Sequence, residues 1–359
     1  MNGDQQGSAL LGALRRLPKV QLHCHLEGTV QATTFAELAA RYGVPTEYRP
    51  KGADAAATTV QTVGSIYHFS GFQEFLFKFA AVCRCLQQPT DYARVLREYA
   101  EDAAANGVMY AELFVSPQTW RFFHKALDVN EVFAELRATV AEVEAKDGLK
   151  IRFTWDLTRN FGVEAAIEAT GLALKMRDYG VIAIGLGGDE ANFPARDFEA
   201  PFRLARESGL RAVAHAGEAD GAHSVHHAIA ILGAERIGHG FRAIEDPEAL
   251  DMLKERDITL EICPTSNFRT GVLAQNKVHP LVELDRVGIP LTIDSDDPAI
   301  FETDISNEYT YAASVAGIDA TLRFAHRAIE ASFADESTKR AMTEKLTRAS
   351  AELLGARRT

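Results

Sequence analysis

A chain of 359 residues, 47% hydrophobic and 25% charged, is long enough to bury a large core, and its 50 acidic against 38 basic residues give a net charge of -12. That balance, with no dense Lys/Arg run, excludes the electrostatic footprint of a nucleic-acid binder and points to a small substrate. Four cysteines without a Cys-x-x-Cys spacing read as reduced thiols, not as a zinc module or disulfide framework, and no apolar run reaches the about twenty residues of a membrane span.

In chain order, the apolar stretch Ser8–Leu14 is short and is followed, not preceded, by Arg15-Arg16. This is the reverse of a secretory signal, so a cytoplasmic protein is expected. An apolar, β-branched run then spans Val20–His25. Seven more follow at Val108–Val115, Ile151–Leu157, Val181–Leu186, Arg211–His215, Arg236–His239, Thr259–Cys263 and Pro290–Asp294. Between them the spacing predicts helices over Thr33–Tyr42, Asp91–Ala105, Val129–Ala145, Val163–Tyr179, Phe198–Glu207, Val225–Leu232, Pro247–Glu255 and Leu281–Arg286. Two amphipathic helices, Ile318–Ala331 and Glu336–Leu354, close the chain and are expected to cover its core. An insertion from Pro45 to roughly Asp91 separates the first two strands. Its aromatic-rich half, Tyr67–Phe79, reads as a helical lid over the active face or as a helix's core stripe through Phe72, Phe75 and Phe79.

Eight strands alternating with helices imply parallel pairing, and at this length a closed (β/α)8 TIM barrel is the leading architecture, with a lid insertion after strand one and extra C-terminal helices. A doubly wound open sheet is the runner-up, but it gives no reason to collect chemistry from the first and last strands, which closure sets side by side. No repeat, linker or low-complexity tract divides the chain, so residues 1–359 read as one domain. No Gly-x-Gly-x-x-Gly or phosphate-binding Gly-Lys-Ser/Thr loop is present.

The chemistry-bearing residues fall at strand ends. His23 and His25 lie two apart on the first strand, so both imidazoles share a face and can converge on one ion. Alone, such a pair more often describes two ordinary half-buried histidines than a metal site. Its company is His215-Ala216-Gly217-Glu218, Ile237-Gly238-His239-Gly240 and Asp294-Ser295-Asp296-Asp297-Pro298, each ending another strand. His23, His25, His215 and Asp296 supply three imidazole nitrogens and one carboxylate, a set that suits one catalytic Zn(II) with a position left for water, whose pKa the ion would lower to roughly 7. The fourth strand ends without the lysine that bridges two metals in many barrel hydrolases, so one ion per chain is expected. Glu218, three residues after His215, is the expected general acid if burial raises its pKa; otherwise it is a solvated loop residue. His239, between glycines, reads as a residue that takes or holds a proton, or as a structural histidine. Only one of Asp296 and Asp297 can share the metal's face, leaving Asp297 for water or substrate. Asp189 and Glu190 are weaker candidates.

These segments, in this order, resemble the adenosine deaminase family of the amidohydrolase superfamily. The likeness runs over nearly the whole chain, through Leu17-Pro18-Lys19, His23-x-His25-Leu26-Glu27-Gly28, Ser116-Pro117, Gly188-Asp189-Glu190, His215-Ala216-Gly217-Glu218, Arg236-Ile237-Gly238-His239-Gly240, Cys263-Pro264-x-Ser266-Asn267 and Ser295-Asp296-Asp297-Pro298. The resemblance implies zinc on His23, His25, His215 and Asp296, with His25 also facing the substrate. It implies that Glu218 protonates purine N1, that His239 orients the attacking oxygen, that Asp297 positions water and the N7 edge, and that the Gly188 backbone donates to N3. Glu27 stands where many of the family's nucleoside deaminases carry an Asp that meets the sugar's 5'-hydroxyl, and it is the expected sugar contact. The implied reaction is hydrolytic deamination of a 6-aminopurine nucleoside, adenosine or 2'-deoxyadenosine. Adenine and 6-aminodeoxyfutalosine, an adenosine with a bulky 5' extension, are the alternatives, and a catalytically silent purine-binding protein is the reading from a different class. The His-x-Glu with Pro-Cys-x-x-Cys signature of nucleic-acid deaminases is absent. Oligomeric state is not legible.

Overall fold

Alternation of buried strands and amphipathic helices folds the chain into the expected barrel. The computed structural model describes residues 11–46 and 66–356. The first part of the expected lid insertion and part of the Ser8–Leu14 run therefore lie outside the described residues. Strands β1 (Lys19–His25), β2 (Val108–Val115), β3 (Lys150–Thr158), β4 (Val181–Gly187), β5 (Arg211–Ala216), β6 (Arg236–His239), β7 (Thr259–Ile262) and β8 (Leu291–Ile293) pair in sequential order, every neighbour parallel.

The seam between β8 and β1 closes just past the end of β8. Cys24 and Asp296 form a parallel bridge, His25 N donates to Asp296 O at 2.9 Å, and Asp296 N donates to His23 O at 3.1 Å. Short of that point Asp294 substitutes a side chain for a ladder partner, its Oδ1 accepting from Leu22 N at 2.7 Å and His23 N at 3.1 Å. The metal-ligand candidates of the first strand and the DDP motif after the eighth thus share the barrel's closing hydrogen bonds.

The helices expected over Pro247–Glu255, Leu281–Arg286 and Ile318–Ala331 occur with those bounds, and the others start or stop within a few residues. Pro89 begins its helix behind a reciprocal Gln88/Asp91 capping box, which places the start two residues before the expected Asp91. The expected helix through Tyr179 instead stops at Lys175 and continues as a 3-10 turn at Arg177–Tyr179. Three short helices were not expected: Pro117–Phe123, Pro264–Arg269 and Pro298–Phe301. Each starts at a proline two to five residues past the end of its strand (Val115, Ile262 and Ile293), where a fixed φ suits the first helical position and no N–H is lost. A fourth, Ile305–Ala316, is capped by Asp304, whose side chain accepts from Asn307 N.

Of the aromatic run, residues 72–85 form a helix (Phe72–Cys85), and Tyr67 to Gly71 precede it in a turn. Phe75 is buried against Phe69 and Phe301, so this stripe is core on one side. All four cysteines are buried free thiols. Among the described residues no helix is long and apolar enough to cross a membrane.

Candidate active site

The strand ends gather His23, His25, His215, His239 and Asp296 at the C-terminal mouth of the barrel, all buried. His25 Nε2 lies 3.1 Å from His215 Nε2, and Asp296 Oδ1 lies 3.4 Å from both His23 Nε2 and His25 Nε2. Potential ligand atoms of His23, His215, His239 and Asp296, and those of His25, Asp296 and Asp297, fall within 4.8 Å of one another. Asp296 reaches the cluster through a left-handed backbone (φ 61°), and His239 through another (φ 60°). Such conformations cost about 1–3 kcal/mol each and persist where the surroundings impose them.

The outward nitrogens of these rings show whether the cluster suits a metal. His23 Nδ1 donates to Glu261 Oε2 at 2.8 Å and His215 Nδ1 to Leu186 O at 3.2 Å. Both rings therefore present an Nε2 lone pair inward, as metal-binding histidines held by a carboxylate or carbonyl do. His23 Nε2 is buried with no hydrogen-bond partner. Burial opposes a proton on His23, yet Asp296 and Glu261 more than offset it and hold its pKa well above the ordinary value. Burial lowers both His215 and His25, the latter to about 4. The cluster thus favours one positive charge where the imidazoles meet Asp296, the place a divalent cation would take. Ser266 Oγ donates to Asp296 Oδ2 at 2.6 Å and fixes the carboxylate's rotation.

Glu218 enters from the loop after β5. Burial, then the Asp296 and Glu190 carboxylates, push its pKa well above the usual range. Its Oε2 lies 3.6 Å from His239 Nε2. The loop is held by Glu190, whose Oε1 accepts from Gly217 N at 2.6 Å and whose Oε2 accepts from the N–H groups of Glu218, Ala219 and Asp220 at 2.8–3.1 Å. One buried carboxylate thus fixes four consecutive peptides. Asp297 is also pushed up, by burial and by the adjacent Asp296, and its Oδ1 has no partner.

These groups open on a cavity of about 310 Å³ that His25, His215, His239, Glu218, Asp296, Asp297 and Gly188 line together. Its outer wall is aromatic: Phe72, Phe75 and Phe79 from one helix, Phe122 and Phe123 from the helix after β2, and Phe161 after β3. No lysine or arginine lines it among the described residues. Glu27 does not line it. That carboxylate is fully buried, and its Oε1 accepts from Ser116 N at 2.8 Å and from the Trp120 indole. Burial still drives Glu27 up to about 7, the hydrogen bonds opposing.

The sequence comparisons place this geometry. The family model for adenosine deaminase matches residues 18–349. The chain belongs to the adenosine deaminase family. It is therefore a hydrolase of the kind that acts on the amino group of purines. It is 34% identical to an aminodeoxyfutalosine deaminase of Acidothermus cellulolyticus, covering 87% of this chain and 86% of that one. It is 34% identical to an adenine deaminase of Rhizobium leguminosarum (92% and 99%) and 35% identical to an adenosine deaminase of Pectobacterium atrosepticum (93% and 97%). Among solved structures, adenine deaminase from Arthrobacter aurescens superposes with a TM-score of 0.83 at 28% identity, covering 92% of this chain and 98% of that one. An amidohydrolase from Burkholderia ambifaria with bound zinc gives 0.83 at 25%, covering 96% and 94%.

Several residues around this deaminase site carried no assigned role in the sequence reading: Glu261 behind His23, Ser266 behind Asp296, Asn267 beside His239, Asp156 in the cavity wall, and Arg159, whose guanidinium donates to the carbonyls of His215 and Phe193. Glu261 was visible as a charge inside the apolar strand Thr259–Ile262, and Ser266 and Asn267 as part of the Cys263-Pro264-x-Ser266-Asn267 segment with no role attached; Arg159 looks like an ordinary loop residue. Gly238 has a use only the structure displays. A Cβ there would sit 2.5 Å from His23 Cε1, so Gly238→Ala must move that ring. Gly238→Ala is expected to lower metal content at fixed zinc, measured by atomic absorption, while the far-ultraviolet circular dichroism stays native.

Proposed function

We propose that this chain hydrolyses the C6 amino group of a 6-aminopurine nucleoside, releasing ammonia, with one zinc ion held by His23, His25, His215 and Asp296. The observation that carries the reading is a buried, raised-pKa Glu218 beside His239 across one cavity from three inward-facing imidazoles and Asp296. When bound, zinc would supply a nucleophilic oxygen at neutral pH by acidifying water. The protein's own groups do the rest. Glu218 gives its proton to purine N1, which lets an oxygen add to C6 without placing negative charge on the ring. His239 and Asp297 face that oxygen from the cavity wall. The Gly188 N–H holds N3, and as the C6–N bond breaks the amino group takes the proton of the hydroxyl that has added to C6 and leaves as ammonia, C6 becoming a carbonyl. Gly188 adopts a φ of 99°, and a Cβ there would meet Asn160 Oδ1 at 2.4 Å, so the position needs glycine.

A second reading concerns the sugar end. Glu27, the expected 5'-hydroxyl contact, is turned into the core, and the cavity's outer wall is phenylalanine, with Phe122 56% exposed. An apolar or aromatic extension at the 5' position fits that wall better than a bare hydroxyl. This favours a 5'-extended nucleoside such as 6-aminodeoxyfutalosine, in line with the likeness to the Acidothermus protein.

Ammonia release from adenosine, 2'-deoxyadenosine, adenine, AMP and 6-aminodeoxyfutalosine, with and without chelator, tests both readings. Turnover is expected to disappear on chelation and return with zinc. The extended nucleoside is expected to exceed adenosine in kcat/KM by about 10- to 200-fold, the range that added apolar contact gives. Equal rates for the two would remove the second reading. Silence on all five with zinc bound would remove the first and leave a purine-binding protein.

A further inference from the structure

A chain of hydrogen bonds runs from the backbone into the cavity through two residues with no part in metal or substrate contact. Leu281 N lies 3.0 Å from His279 Nδ1, His279 Nε2 lies 3.0 Å from Asn267 Oδ1, and Asn267 Nδ2 lies 3.2 Å from His239 Nδ1. All three side chains are buried, and the His279 ring sits edge-on to both Phe241 and Phe268.

Each bond dictates the next. A peptide N–H only donates, so Leu281 makes His279 Nδ1 an acceptor. Burial drives His279 down to about 3, so it is neutral and carries its one proton on Nε2. That proton requires an oxygen opposite, which fixes the orientation of the Asn267 amide, otherwise an assignment between two near-equivalent flips. The amide nitrogen then faces His239 Nδ1 and can only donate to it. The remaining proton of His239 must therefore lie on Nε2, which points into the cavity, 3.6 Å from Glu218 Oε2 and 3.8 Å from Asp296 Oδ2. Turning the amide over would set donor against donor at His279.

We propose that His279 is a positioning residue that, through Asn267, fixes the proton of His239 on Nε2, facing the reaction cavity. His239 then begins the cycle as a hydrogen-bond donor to the attacking oxygen and not as its base, because the nitrogen that faces the oxygen already carries a proton. Only the kinetic consequence rests on the deaminase reading; the tautomer is a property of the folded chain.

The test is long-range proton–nitrogen NMR on zinc-loaded protein labelled with ¹⁵N-histidine, the His239 signals being assigned by their loss in His239→Gln. The expected pattern is that of the Nε2–H tautomer, and an Nδ1–H pattern would overturn the proposal without any substrate being turned over. Kinetics separate positioning from packing. His279→Leu fills the ring's space but frees the Asn267 amide, and is expected to lower kcat about 10- to 100-fold, the usual loss for outer supporting partners, with KM and zinc content unchanged. His279→Gln restores an N–H toward Asn267 and is expected to recover most of that loss. A wild-type kcat in His279→Leu, or a Gln variant no better than Leu, would also overturn it. If no purine is deaminated at all, the NMR result still stands or fails by itself.

Discussion

Glu218→Gln is expected to lower kcat on the order of 10² to 10⁴, the range for a positioned general acid, while KM and bound zinc change little. The substitution keeps the shape and an N–H donor, so the side chain still meets N1 but has no proton to give. Its loop is fixed by Glu190 at four peptides, which leaves the substituted residue in place. The pH dependence has a definite sign. An acid must be protonated to act; burial and the Asp296 and Glu190 carboxylates raise its pKa, so it keeps its proton to higher pH than an ordinary carboxyl and is lost as pH rises through that raised value. The alkaline limb of kcat/KM in the wild type is therefore expected to be Glu218's, and it should vanish from the residual activity of the Gln variant. Stopped-flow or steady-state ammonia release across pH decides it: near-normal turnover, or an unchanged alkaline limb, would sink the role.

What was legible in the sequence is what repeats or stands alone. The eight strands and most helices show because apolar periodicity recurs every few residues, and His23, His25, His215, His239 and Asp296 show because polar groups at apolar strand ends are conspicuous. The short helices after Ser116, Cys263 and Asp297 were hidden because four to seven residues hold too few turns for a period; the proline that opens each was the available signal. Glu27 shows the limit of reading by motif. Its place after His25-Leu26 suggests a sugar contact, yet its carboxylate turns to the Ser116 peptide and the Trp120 indole, partners about ninety residues away in sequence that only barrel closure brings near. Asn267 and His279 are of the same kind, since a hydrogen-bond direction depends on what stands at both ends.

The second large effect lies beneath the cluster. Arg236, fully buried on β6, donates from Nη2 to Glu112 Oε2 at 2.6 Å and from Nε to Glu261 Oε1 at 2.5 Å. Glu261's other oxygen receives His23 Nδ1, so the guanidinium is one step from the cluster. It also faces the other way: Nη1 donates to Ala331 O at 3.0 Å and the group lies 3.9 Å over the Phe333 ring, while Phe333 N donates to Glu112 Oε1, so the segment after the Ile318–Ala331 helix is pinned to the barrel floor. Burial opposes the Arg236 charge, but the two glutamates more than offset it, and Arg236 in turn helps hold Glu261 below the usual carboxylate range against the cost of its own burial. Arg236→Met keeps much of the volume and leaves two buried carboxylates with no cation between them. The expected loss is about 3–5 kcal/mol of stability, the cost of removing one partner from a buried ionic group. Glu261 would then take up a proton and no longer receive the His23 N–H as a carboxylate, so zinc affinity should fall with stability. Urea unfolding with and without chelator separates the two. A lowered midpoint in both conditions is expected, with the larger fall when zinc is present. A midpoint that moves only with zinc would mean that Arg236 acts through the metal site alone, and that the floor does not depend on its charge.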